Sequence, residues 1–589
     1  MPPDPALRRL ALSTLLAAFP GRTAPEWACA LLADGLAGFA LFGGNIADRR
    51  QLAALTTHLR SVRPELLVAT DEEGGDVTRL AHRTGSPYPG NAALGAIGDP
   101  DLTRTVYAAI GADLAASGIN LDLAPTVDVN TADDNPVIGT RSFGASAPEV
   151  ARHSAAAVTG LQSTGVAACA KHFPGHGATV TDSHLELPTV DAPLSTLRDR
   201  DLPPFAAAIA AGTRSIMTAH LRVPALTGDD PATFSRAALH SLLRKEYAFQ
   251  GTIVTDALEM RGARSAAFRS AGALPGPFAP DSSAPGPSAP APSAPGASAP
   301  DPSASGGYVL GPSASGGSAF GGSPTGGVGE GAVRALAAGA DLLCLGARVD
   351  AELVEGVAAE IVAALTDGRL ELRRLEDAAA RTAALAAWTR RPATPEAADA
   401  GPSYATAGIP DPGPGHAASG VPDPGLDYAG SGAADAGIGY AGSGAADAGI
   451  GYAAARRAVR VEGSVAGLAD PLVVQLVAGH SIAEGRVPWG LSPHLHDVEQ
   501  VTVVAAETSA EQLAARAGAR PIVVVGRRTH RTEATRKLIE SLAARHTVTV
   551  VEMGWPSAWR PAGVRAFVTT YGAGHANGRA AAEALGLAP

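Results

Sequence analysis

The sequence predicts an α/β protein, a (β/α)8 TIM-like barrel followed by a smaller three-layer α/β sandwich domain. Three observations lead there. Short apolar runs alternate with helix-length segments over residues 1–390, the pattern of repeated βα units. Several of those runs end in an ionisable residue, namely Asp71, His172, His220 and Asp256, as barrel strands do when they deliver side chains to a pocket at their C-terminal ends. After a stretch poor in apolar residues, the alternation resumes over residues 455–589.

Length and charge agree with this division. A chain of 589 residues exceeds one ordinary core, so two domains and linkers are expected. The formal net charge of -11 argues against a nucleic-acid partner. No apolar run reaches the roughly 18 to 20 residues that a membrane helix needs, so no membrane partner is expected either. The three cysteines, Cys29, Cys169 and Cys344, are widely spaced among small or apolar residues, and read as reduced core thiols. Arg8-Arg9 followed by LALSTLLAAF has the form of an export signal, but no small-residue cleavage site follows. Leu7 to Phe19 is therefore expected to be the first amphipathic helix, ended by Pro20-Gly21, and the protein is expected to be cytoplasmic and monomeric.

Taken in order, the expected barrel strands are Gly38 to Phe42, Leu66 to Asp71, Asn120 to Pro125, Ala167 to His172, Ser215 to His220, a weak one at Ala232 to Ser235, Thr252 to Asp256, and Asp341 to Leu345. Residues 265–326 are almost pure Ala, Pro, Ser and Gly and cannot bury enough apolar surface to offset their ordering entropy, so disorder is expected. They interrupt the barrel between Asp256 and the helical GEGAVRALAAGAD, which makes them an insertion whose ends lie close together. Residues 391–454 form a linker containing AGSGAADAGIGY twice, at Ala429 to Tyr440 and Ala441 to Tyr452; two copies are too few for a solenoid. In the C-terminal domain, strands are expected at Leu472 to Ala478, Val501 to Ala506, Ile522 to Gly526, Thr547 to Glu552 and Ala566 to Tyr571, with a helix at Arg531 to Arg545. It carries no glycine fingerprint or phosphate loop.

The chemistry concentrates in Gly165 to Leu187, GVAACAKHFPGHGATVTDSHLEL, and at Asp256. Asp256 ends a buried β-branched strand, which suits a nucleophile that esterifies a sugar carbon and equally suits an N-cap of the next helix. Asp182 and His184 can hydrogen-bond if their loop curls, giving an oriented imidazole able to protonate a leaving group and then deprotonate water; the same DSH also suits a plain surface loop. His172 and His176 have HxxxH spacing, but Pro174 and Gly175 lie between them, so neither helical alignment nor a metal site is expected, and no cofactor.

KHFPGHG followed by TDSH, with DEEGGDVTRL upstream and VTDALEM downstream, resembles glycoside hydrolase family 3, specifically its β-N-acetylglucosaminidase branch. GFALFGGNI, GINLDLAPTVDVN, NPVIGTRSFG, PATFS and AVRALAAGADLLCLG continue the resemblance in family order across the barrel. The resemblance implies a retaining hydrolase in which Asp256 is the nucleophile and His184, partnered by Asp182, the acid/base. It also implies that Asp71, Arg79, Arg141, Lys171 and His172 hold a terminal N-acetylglucosamine of glycosides or cell-wall fragments. Asp128, in DVN, is expected either to line the pocket or to cap a loop, and is left outside the site. A histidine acid/base is neutral after losing its proton and does not repel an anionic acceptor, so a phosphorylase is the mechanistic alternative. A β-glucosidase and a catalytically silent sugar-binding scaffold are the others; the DSH loop speaks against the first and the filled catalytic positions against the second.

Overall fold

The computed structural model describes residues 4–183, 185–270, 325, 327–391 and 449–588. The first sheet is an eight-stranded parallel barrel: β1 (Leu15–Ala17), β2 (Gly38–Ala40), β3 (Leu67–Thr70), β4 (Leu121–Asp122), β5 (Ala167–Phe173), β6 (Ser215–Thr218), β7 (Thr252–Thr255) and β8 (Leu343–Cys344). Each strand from β2 to β7 lies beside its predecessor, β8 pairs with β1, and a parallel bridge between Val254 and Leu342 joins β7 to β8 and closes the ring. Closure removes the exposed strand edges.

Strand alternation separates two layers of core. Leu16, Leu67, Ala69, Leu121, Ala167, Cys169, Met217, Val254 and Cys344 fill the lumen, while Leu15, Val68, Ala168, Ala170 and Ile253 pack outward. The helix Leu372–Trp388 covers the N-terminal mouth: Leu385 and Ala386 join the lumen cluster, and the Arg381 carbonyl accepts from the Thr252 hydroxyl at the start of β7.

Three expectations for the barrel need correction. Leu7 to Phe19 is not one helix: Pro5–Leu12 is helical, capped by the Asp4 carboxylate, and Leu15–Ala17 is β1. The Leu-rich run has helical propensity, but pairing with both β2 and β8 overrides it. The weak strand at Ala232 to Ser235 is instead a 3-10 turn, Ala232–Phe234, so the eighth strand comes from the N-terminus. Cys169 and Cys344 are buried as expected, but Cys29 is half-exposed, with its Sγ 3.6 Å from His58 Nε2.

The second sheet has the order β11-β10-β12-β13-β14-β9, built from β9 (Arg460–Gly463), β10 (Leu472–Leu476), β11 (Gln500–Val503), β12 (Ile522–Gly526), β13 (Val548–Glu552) and β14 (Ala566–Thr569). All pairs are parallel except β14 with β9, an exposed edge strand that the sequence did not suggest. Helices Ala510–Ala517 and Glu533–Ala543 cover one face and His575–Ala584 the other, which makes three layers. The helix Ile450–Ala458 seats this domain on the barrel. Its Ile450 and Ala454 pack into the barrel core and Ala455 packs against Ala576 and Ala580. A side chain at Gly451 would bring a Cβ within 2.2 Å of the Pro87 carbonyl oxygen. Most of the insertion and most of the linker, with nearly all of its repeat, lie outside the described residues.

Candidate active site

Strand period places the first group of side chains. Asp71 is two residues beyond Ala69, Lys171 two beyond Cys169 and Asp256 two beyond Val254, so all three continue the lumen-facing phase of alternate strands β3, β5 and β7 at the C-terminal mouth. Burial and the charges of Asp256 and Asp71 together push the Cys344 thiol in β8 well above its ordinary range.

Around Asp71 the structure assembles a compact cluster of opposite charges. Lys171 Nζ lies 2.8 Å from Asp71 Oδ1 and 2.8 Å from Glu73 Oε1. Arg141, on the turn Gly139–Arg141, donates from Nε (2.9 Å) and Nη2 (2.8 Å) to the two oxygens of Glu73, a bidentate pair. Arg79 Nη2 stands 3.5 Å from Asp71 Oδ2. Burial alone would raise both carboxyls; Lys171 with Arg79 holds Asp71, and Arg141 with Lys171 holds Glu73, below the usual carboxylate range. Lys171 is likewise desolvated, and Asp71 and Glu73 more than compensate, keeping the ammonium charged. Glu73 is 2% exposed, whereas Asp71 is 21% exposed and faces the mouth. Adjacent Glu72 has another task. It accepts from the Thr78 hydroxyl and the amides of Arg79 and Leu80, each at 2.9 Å, folding the loop after β3, and burial pushes its carboxyl up to about 7.

His172 is fixed by Asp128 and Arg141. Arg141 Nη2 can only donate, so His172 Nε2, at 3.3 Å, accepts; Nδ1 then carries the proton and donates to Asp128 Oδ2 at 2.8 Å. Asp128 Oδ1 also accepts from the amides of His172 (3.2 Å) and His176 (2.7 Å). The turn after β5 continues with His176, whose Nδ1 is 2.7 Å from Thr179 Oγ1 and whose imidazole is held neutral by burial, its pKa lowered to about 4. A Cβ on Gly177 would stand 2.0 Å from the Val129 carbonyl oxygen, so only glycine lets this turn lie against the Asp128 loop.

Beyond the turn, Asp182 accepts through its backbone carbonyl from the amides of Leu185 (3.0 Å) and Glu186 (3.1 Å), which curls the loop; His184 lies outside the described residues. The loop rests beside the helix that follows Asp256. Gly262, in the helix Arg261–Ser270, is close enough to Ser183 and Glu186 that a Cβ there would meet their carbonyl oxygens at 3.1 and 3.3 Å. Asp256 Oδ1 accepts from the Ala257 amide at 2.8 Å, and His220 Nε2 donates to the Ala257 carbonyl at 3.0 Å, so His220 pins the peptide that follows Ala257, one residue beyond Asp256.

The second domain reaches this region. Arg79 Nη2 donates to the Ala483 carbonyl at 2.8 Å and Nη1 approaches the Glu484 carbonyl at 3.5 Å. Seating by the Ile450–Ala458 helix brings the two bodies together.

The glycosyl hydrolase family 3 N-terminal domain matches residues 13–273. A beta-hexosaminidase A of Pseudoalteromonas piscicida is 39% identical over 249 residues, which are 38% of this chain and 42% of that protein. A beta-hexosaminidase of Methylococcus capsulatus is 38% identical over 251 residues, 42% of this chain and 74% of that protein. The chain belongs to glycosyl hydrolase family 3. A solved family 3 beta-N-acetylglucosaminidase from Paenibacillus sp. aligns over 99% of this chain and 97% of its own, with a TM-score of 0.72 and 28% identity, so the likeness extends through both domains.

In this family 3 chain, Asp71, Arg79, Arg141, Lys171 and His172 come together through contacts of 3.5 Å or less. Glu73 and Asp128, which the sequence reading did not select, bind the cluster from below. The signal for Glu73 was present: buried Lys171 and Arg141 require anions, and the second acid after Asp71 is two residues on, in the same strand phase. The contribution of Ala483 and Glu484 had no sequence signal, because it is made by backbone carbonyls.

Proposed function

We propose that this family 3 protein hydrolyses terminal β-linked N-acetylglucosamine from glycosides with retention of configuration. The observation that carries the reading is the lumen-facing set Asp71, Lys171 and Asp256 at one barrel mouth, in a chain whose relatives are beta-hexosaminidases. Asp71, Arg79, Arg141, Lys171 and His172 supply charged and polar groups suited to gripping sugar hydroxyls. In the first step an Asp256 oxygen attacks the anomeric carbon, the C–O bond to the leaving group breaks, and the protonated imidazole of His184 gives its proton to the departing oxygen. In the second step His184 takes a proton from water, the resulting hydroxide attacks the same carbon, and the ester bond to Asp256 breaks. Asp182 orients the imidazole and stabilises its charged form.

The domain limits we assign are 1–390, with an insertion at 265–326, a linker at 391–454, and 455–589. The role we assign is turnover of cell-wall fragments by a cytoplasmic monomer, in keeping with three cysteines that form no disulfide. The test is turnover of an aryl β-N-acetylglucosaminide beside the matching glucoside, with and without phosphate, following the first-formed sugar by NMR. Preference for the acetamido substrate with β-N-acetylglucosamine as initial product in both buffers supports the reading. An initial α-anomer removes the covalent mechanism, a sugar 1-phosphate makes the protein a phosphorylase, and no turnover of either substrate overturns the catalytic assignments.

A further inference from the structure

We propose that Arg527 and Glu484, both in the second domain, are positioning residues that hold Arg79 against Asp71. The inference rests on the reading of Asp71 and Arg79 as sugar-binding groups. Arg79 does not reach Asp71 unaided: its guanidinium is anchored at the Ala483 carbonyl (2.8 Å) and lies beside that of Glu484 (3.5 Å), while Asp71 Oδ2 stands 3.5 Å away. The position of residues 481–484 therefore sets the direction of Arg79.

That turn is held in two ways. Internally, Ser481 and Glu484 exchange bonds, with the Ser481 amide donating to Glu484 Oε2 at 3.2 Å and the Glu484 amide donating to Ser481 Oγ at 3.3 Å. Externally, Glu484 Oε1 lies 3.1 Å from Arg527 Nη2, and the same nitrogen lies 3.1 Å from Asp76 Oδ2 of the barrel. Asp76 also accepts from the Ala573 amide at 2.8 Å and the Thr140 hydroxyl at 2.6 Å, next to Arg141. All three charged side chains are at least nine-tenths buried. One cation thus separates two buried carboxylates, one from each domain. Without it, the carboxylates repel across a water-poor interface, the turn moves off the barrel and Arg79 loses its anchor.

Arg527→Met, Arg527→Lys and Glu484→Gln test this, each measured for kcat and KM on the aryl N-acetylglucosaminide and for hydrogen exchange of the segment 71–82. We expect Arg527→Met to raise KM at least about tenfold with kcat within about threefold, and to speed exchange across 71–82, although the substitution is in the other domain. Glu484→Gln, which weakens the same link, should shift both readings in the same direction. Both contacts use one nitrogen, so Arg527→Lys should restore KM to within about threefold of the unmodified protein. In an Arg79→Lys background, Arg527→Met should add little, because both changes act on one contact. The proposal is overturned if folded Arg527→Met keeps its KM, if exchange across 71–82 is unchanged, or if the KM effect persists in full in the Arg79→Lys background. Should the unmodified protein turn over no glycoside, the functional reading falls; exchange across 71–82 then still decides whether Arg527 holds the Arg79 loop.

Discussion

Removing the negative charge of Glu73 tests the electrostatic logic of the site most directly. In Glu73→Gln the three contacts at 2.8 to 2.9 Å from Arg141 and Lys171 lose their anion, and one amide hydrogen pair then faces cationic donors. Breaking a buried ion pair from one side costs about 3–5 kcal/mol, and because Lys171 keeps Asp71 the lower end applies, about 3 kcal/mol. For a domain of barrel size that is a fall in Tm of roughly 5 °C near neutral pH. The pH dependence has a defined sign. The native carboxyl titrates below the ordinary glutamate value of 4.5, so its stabilisation is complete above that pH and is lost as the pH falls. The gap between the two proteins should therefore narrow by about 1.4 kcal/mol for each pH unit below the ordinary value. Denaturant unfolding of both proteins, compared from neutral pH down to about pH 3.5, measures the gap directly. A variant that matches the parent at neutral pH, or a gap that holds constant or widens in acid, would refute the account of Glu73 as the anion that neutralises Lys171 and Arg141.

Other perturbations follow from the same geometry. Asp256→Gly should fold normally and lose at least about 10³-fold in kcat, and added azide should restore turnover with a glycosyl azide as product; unchanged turnover removes Asp256 as nucleophile. Gly177→Ala must displace the Val129 carbonyl, so we expect at least about a tenfold fall in kcat, with circular dichroism reporting an intact barrel. Deleting residues 271–324, between the helix that ends at Ser270 and Thr325, whose Oγ1 accepts from the Gly329 amide at 3.2 Å, should leave turnover of small substrates within about tenfold. Loss of all activity in a well-folded deletion protein would give that segment a catalytic part.

The legible parts of this chain were those governed by period and by contiguous motifs. Seven barrel strands stand where alternation put them, and the lumen phase of Ala69, Cys169 and Val254 carries directly into Asp71, Lys171 and Asp256. β1 was hidden because LLA between a helical octet and Pro20 has no alternation to read; it is a strand only because β2 and β8 flank it. Asp128 was ambiguous for a related reason. A lone buried carboxylate has no sequence signature, and its place under His172 and His176 depends on the loop after β4 folding onto the C-terminal end of the next strand, β5. The Arg79 anchor depends on docking of another domain, which no local pattern encodes.

The helix Leu372–Trp388 closes the floor of the barrel, where Asn120 just before β4 donates to Thr389 Oγ1 at 3.1 Å. The helix Ile450–Ala458, by contrast, lies under the roof, beside Pro87 and Tyr88. The chain therefore leaves at one pole and returns at the other. A barrel helix of 17 residues is about 25 Å long, and an extended chain covers about 3.3 Å per residue, so a strap of roughly 15 to 20 residues suffices to go round the outside. Residues 392–448 exceed that reach several-fold in contour length. Their number is thus not set by the journey, and the contacts that seat the second domain are those of Gly451, Ala455 and Asp76.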